Sequence, residues 1–150
     1  MNLTTKAEDI YRALIEATAY GTNLIIETFE NAGITIQELY ACGGIAKKNP
    51  MMMQIYADVL GHPIRVSSSD QACALGAAIL AAAAARCHDS LDAAMAAMAA
   101  HPETEYLPNA EHTAVYDELY GIYRSTAQHF ALQSDAMHRL MALRRGKAVQ

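Results

Sequence analysis

Apolar positions recur at helical spacing near the front of the chain, where Ile10, Leu14, Ala17, Gly21 and Leu24 fall on one face. Thr5 with Glu8 three residues later has the pattern of a capping box, and Gly33 offers a C-terminal stop, so one long first helix is predicted. Ile34 to Cys42 changes to a short run of Ile, Thr, Leu and Tyr that ends in paired glycines, which suits a strand running into a loop. Asn49 and Pro50 are the residue types of an N-cap and a first helical position, and the helix they open should run to about Leu60 before Gly61 ends it. Ile64 to Val66 is a second short strand. Ser69 or Asp70 caps the next helix, an alanine-rich stretch to about Ala85, and a shorter helix follows from Ser90 to Ala100. The segment HPETEYLPN carries two prolines and an asparagine, which break any helix. From Ala110 onward Val115, Leu119, Ile122, Tyr123 and Phe130 describe one long terminal helix that frays at the basic RRGKAVQ tail.

Helix, strand, helix, strand, helix is an α/β order, and the strand–helix–strand unit predicts a parallel pair with a right-handed crossover. Two strands are few for a parallel sheet, which normally has more strands and is covered on both faces. The pattern therefore implies that strands are missing from the front of the chain. Bare sheet edges would then favour self-association.

Composition narrows the picture further. The chain has 150 residues, 53% of them hydrophobic, enough for one ordinary domain with a core. A net charge of -5 and the lack of a basic stripe argue against a nucleic-acid partner. Cys42, Cys73 and Cys87 are too few and scattered for a disulfide framework or a zinc site; they fit a reducing cytoplasm and read as small buried apolar residues. Met1 to Asp9 lacks the apolar run of a signal peptide. Ala72 to Ala85 is too short to span a bilayer and reads as a packed internal helix. Six histidines occur without a metal-ligand spacing. Asp58 falls inside a predicted helix and Asp70 at a cap, Met51 to Met53 suit core packing, and Tyr116, Tyr120 and Tyr123 form a helical stripe that packs on the body.

The candidate chemistry lies in ACGGIAKKNP, residues 41–50, between a strand end and a helix start. Strand ends in open α/β sheets are where ligands bind, and a helix N-terminus favours phosphate. Gly43 and Gly44 lack a Cβ that would block an approaching nucleotide, and Asn49 can cap a helix, bind a ligand, or do both. A plain glycine turn with an asparagine cap accounts for the same residues. The spacing matches neither a P-loop nor a dinucleotide fingerprint. Lys47 and Lys48 read as solvated.

Residues 40–82, YACGGIAKKNPMMMQIYADVLGHPIRVSSSDQACALGAAILAA, resemble the C-terminal domain of the FGGY carbohydrate kinases. ALIEATAYGTNLIIETFENAG before the loop and the long helical tail resemble the ribulose-phosphorylating members, which serve L-arabinose breakdown; the xylulose-phosphorylating members are the nearest variant. The resemblance implies an incomplete actin-like (ribonuclease H-like) ATPase domain, helix-rich with a short parallel sheet, in which residues 1–150 are the nucleotide-binding portion of the second domain. It implies ATP and Mg2+ as cofactors. Gly43 and Gly44 would approach the phosphates, Asn49 would lie by the adenosine, and Ile45 and Ala46 would line the same loop. ALGAA, Ala74 to Ala78, would be a close-packed helix behind the pocket, with Gly76 structural. The sugar site and the general base would belong to an N-terminal domain absent from this chain, so no catalytic residue is assigned here and the piece alone should be inactive. A non-catalytic helical interaction module is the reading of a different class.

Overall fold

The computed structural model describes residues 4–99 and 101–146. Helix α1 spans Ala7–Asn31. The Asp9 carboxylate accepts the Lys6 backbone N–H at 2.9 Å, so the return half of a capping box closes on Lys6 and Asp9, one residue later than the Thr5 and Glu8 pattern suggests. Gly33 at φ 82° ends the helix as expected, and the Ile34 N–H bonds back to the Phe29 carbonyl at 3.0 Å. The buried face of α1 is Ile15, Ala19, Tyr20 and Ile26, whereas Ile10 and Leu14 are exposed. The stripe conspicuous in the sequence is thus uncovered over its first turns, at Ile10, Leu14 and Ala17, and half-buried at Gly21 and Leu24.

Strand β1 is only Leu39–Ala41, because residues 34–38 find no ladder partner. It leads into a short helix α2 (Gly44–Lys48), where the sequence suggested an open loop. Helix α3 (Pro50–Leu60) begins as expected: Asn49 Oδ1 accepts the Met52 N–H at 3.0 Å, Pro50 follows, and Gly61 closes the helix at φ 63°. Strand β2 (Ile64–Ser67) pairs in parallel with β1, Leu39 opposite Ile64 and Ala41 opposite Val66.

Helix α4 spans Ala72–Ala84 and α5 spans Leu91–Met98, with Ser90 Oγ capping α5 at the Ala93 N–H. Ala100, where α5 was expected to end, lies outside the described residues. Next comes a strand the sequence concealed: β3 (Pro102–Tyr106) runs antiparallel to β2, with Val66 opposite Thr104 and Ile64 opposite Tyr106. The sheet is therefore mixed, in the order β1-β2-β3, and not a two-stranded parallel one. The prolines of HPETEYLPN bracket this edge strand; Pro102 takes its first position, where a missing N–H is tolerated.

Helix α6 spans Ala110–Gln128, a π-helical turn covers His129–Gln133, and α7 runs over Ala136–Arg144. The single terminal helix read from the periodicity is thus broken, and beyond Tyr123 no described residue of it is buried, so packing does not enforce continuity. The expected fraying of the tail falls partly on 147–150, outside the described residues.

The core lies on one face of the sheet. Ile15, Tyr20 and Ile26 of α1 meet Ile55, Val59 and Leu60 of α3, Ile64 of β2, and Tyr116 and Tyr120 of α6. Burying side chains of this size contributes about 1.5–3 kcal/mol each. Tyr20 sits at the centre of a ring cluster with centroids 6.3 Å from Tyr116, 6.2 Å from Tyr120 and 5.4 Å from Tyr123, so the tyrosine stripe packs as expected. Helix α4 does not: only its Ile79 is buried, and Leu80 is exposed, so the alanine run is a surface helix among the described residues. All three cysteines are likewise exposed: Cys73 lies on the surface helix α4, and Cys42 and Cys87 lie in connections outside any helix or strand.

Candidate functional site

The parallel crossover places the glycine pair just past the end of β1, beside the start of α3. Gly43 follows Ala41 by two residues and adopts φ 90° and ψ 174°, a conformation that turns the chain off the strand and that side chains rarely permit. Gly44 differs. It opens α2 with no positive φ, and a Cβ built on it would meet nothing within 4 Å. Gly44 lines an open cleft of about 680 Å³ together with Tyr11, Ile45, Lys48, Asn49 and Met52. That volume falls in the range of small-molecule sites.

Three of the four candidate residues, Gly44, Ile45 and Asn49, therefore line one cleft, while Gly43 shapes the backbone behind it. Ile45 is exposed and apolar. Asn49 spends its oxygen on the Met52 N–H, so the side-chain NH2 is the group left to donate to a ligand. Ala46 does not share this lining. It is buried against Met53 and Val66, holding α2 down on the sheet. Met51, Met52 and Met53 divide their tasks: Met51 is exposed, Met52 borders the cleft, and Met53 is core.

The two lysines part company. Lys47 is drawn back: its ammonium donates to Asp70 Oδ1 at 2.7 Å and to the Ser68 carbonyl, tying α2 to the loop after β2. The Lys47 charge holds the Asp70 carboxyl below the usual carboxylate range. Lys48 is exposed and lines the cleft. Tyr11 and Met52 are lining residues that sequence reasoning missed. No local sequence signal marked Tyr11, because the burial of Ile15 one turn later on the same helix face is itself decided by packing.

Asp58 is the buried charged residue among the described residues, and its bonds are structural. Its Oδ1 accepts from Gln54 Nε2 and from the Asn109 backbone N–H, each at 2.8 Å, and its Oδ2 lies 3.0 Å from His112 Nδ1. Gly76 is not closely packed, since a Cβ there would also meet nothing within 4 Å. Among the described residues no three His, Cys, Asp or Glu side chains gather to hold a metal.

Residues 1–85 match the family model of the FGGY family of carbohydrate kinases, C-terminal domain. The chain is 49% identical over 148 residues to a ribulokinase of Bacillus licheniformis, covering 96% of this chain and 27% of that protein. It is 44% identical over 147 residues to a ribulokinase of Halalkalibacterium halodurans, covering 95% and 26%. Among solved structures, a xylulose kinase from Rhodospirillum rubrum superposes with a TM-score of 0.74 and 24% identity, covering 87% of this chain and 26% of that one. A Plasmodium falciparum glycerol kinase with ADP superposes with a TM-score of 0.66 and 26% identity, covering 84% and 26%. The chain spans about a quarter of the length of these relatives, and its fold is part of their actin-like ATPase fold.

Proposed function

The chain belongs to the FGGY family of carbohydrate kinases, and from that premise we propose that it is the nucleotide-binding portion of a cytoplasmic kinase that phosphorylates ribulose with MgATP in L-arabinose breakdown. The observation that carries the nucleotide part is local. Gly44 has neither a backbone angle nor a neighbour that calls for glycine, yet it faces a cleft shared with Ile45 and Asn49. A missing Cβ in such a lining admits close approach of a ligand to the main chain. The related glycerol kinase, solved with ADP, supports a nucleotide as that ligand.

MgATP bound there would supply the phosphoryl group, with the magnesium arriving as part of the nucleotide substrate. What this chain's residues do is bind and orient: Gly44 opens the approach, Asn49 donates a hydrogen bond from its side-chain NH2, Ile45 gives an apolar wall, and Lys48 gives a positive charge at the rim. Ribulose is preferred over xylulose as the acceptor because the relatives at 44% and 49% identity are ribulokinases, whereas the xylulose kinase likeness at 24% speaks to fold alone. The sugar site and the general base on its hydroxyl are assigned to parts of the kinase beyond these 150 residues.

An NMR titration of the isotope-labelled chain with MgADP tests the site. Perturbations should centre on residues 43–49, and their absence at millimolar nucleotide would overturn the assignment. A coupled ADP-release assay with ribulose, ribitol and xylulose should show no turnover by this chain alone, because a nucleotide cleft without an acceptor site cannot align the in-line transfer. Turnover that disappears on Gly44→Ala would contradict that division of labour.

A further inference from the structure

Tyr11 stands apart from the tyrosines clustered in the core. Tyr20, Tyr116, Tyr120 and Tyr123 pack their rings on one another in the core, with centroids within 6.5 Å. Tyr11 shares the helix face of Ile15, one turn nearer the N-terminus, but there α1 has passed the edge of the core. Ile15 is 7% exposed and Tyr11 is 55% exposed. What the ring borders is the cleft, with Gly44, Ile45 and Met52 on the other elements that form it.

The lining is divided chemically. Tyr11, Ile45 and Met52 present an aromatic ring, a branched aliphatic chain and a polarizable thioether, while Asn49 and Lys48 supply a hydrogen-bond donor and a positive charge. A flat heteroaromatic body joined to an anionic group fits this division, and a phosphate alone would leave the apolar part unused. Resting on the nucleotide reading of the cleft, we infer that Tyr11 is the residue that receives the face of the base, making the cleft selective for a purine nucleotide through ring stacking. Stacking grows with ring overlap, so a two-ring base gains more from Tyr11 than a one-ring base.

The test measures affinities of the chain for the magnesium complexes of ADP, CDP and pyrophosphate, in the unaltered protein and in Tyr11→Ala and Tyr11→Phe. Tyr11 is exposed and helical, and alanine is the better helix former, so Tyr11→Ala keeps the fold. Base–aromatic stacking predicts that Tyr11→Ala weakens MgADP roughly tenfold and narrows the preference for MgADP over MgCDP, while Tyr11→Phe stays within about twofold. Pyrophosphate binding should be the same in all three. Equal MgADP affinity in Tyr11→Ala and the unaltered chain would overturn the role of Tyr11 while leaving the nucleotide site standing. A parallel loss of pyrophosphate would make Tyr11 a support of the loop and overturn the stacking role. No MgADP binding by the unaltered chain would overturn the site and, with it, this inference.

Discussion

At φ 90° and ψ 174°, Gly43 occupies backbone space that is essentially glycine's alone, whereas Gly44 beside it does not. The two adjacent glycines should therefore respond differently to the same substitution. Gly43→Ala is expected to destabilise the fold by about 1–3 kcal/mol, read from urea denaturation. Gly44→Ala has open space for its methyl group and should change stability by no more than about 0.5 kcal/mol while weakening MgADP. Equal destabilisation by both would mean that Gly44 serves the fold and not a ligand. Both glycines and Asn49 could be singled out from residue type and order alone. Their division into a backbone corner, a cleft lining and a cap could not, because it depends on angles and on where α2 lies.

Helices α3 and α6 are joined by Asp58, which ties the last turns of α3 to the N-terminal end of α6 through the Asn109 N–H and His112. Removing the carboxylate strands the part-buried Asn109 N–H and leaves Gln54 Nε2 only its bond to the Leu107 carbonyl, so Asp58→Ala should cost about 1–3 kcal/mol in urea unfolding, a loss that His112→Ala should not reproduce, since that ring is largely exposed. The α1–α6 contact carries a pH dependence. Burial pushes the Tyr20 phenol up to about 12 from its ordinary 10. The unfolded chain ionises first, so this contribution is complete below pH 10 and is lost as pH rises from 10 to about 12. Urea midpoints should hold level up to about pH 10 and fall above it. A Tyr20→Phe variant should fall less steeply, and an identical decline would locate the effect elsewhere.

Across the whole molecule, apolar surface is left uncovered on several elements at once. Ile10, Leu14 and Ile25 on α1, Leu80 on α4, and Leu132 beyond α6 are all exposed. The sheet's outer edges belong to β1 and β3, since β2 is paired on both sides. The chain spans about a quarter of its relatives' length. Alone, the chain is expected to self-associate, with a sedimentation coefficient that rises across a concentration series. A monomer that unfolds cooperatively at every concentration would show that the core of α1, α3 and α6 suffices, and would favour an independent interaction module.

The sequence by itself determined the features that arise from contacts a few residues apart. The end of α1 at Gly33, the start of α3 at Asn49 and Pro50, its stop at Gly61, and the strand–helix–strand order around the glycine pair are all set by caps, a fixed proline φ and glycine's freedom at positive φ. Tertiary structure alone decided whatever required a partner distant in the chain. Strand β3 exists because Thr104 and Tyr106 lie opposite Val66 and Ile64, although the segment's prolines read locally as a break. The stripe of α1 that is buried is the one facing α3 and α6, and not the one most regular in sequence. Tyr11 borders the cleft only because the turn of α1 that carries it comes beside α2 and α3. Pairing, face choice and cleft lining are properties of how elements meet, and no run of neighbouring residues encodes them.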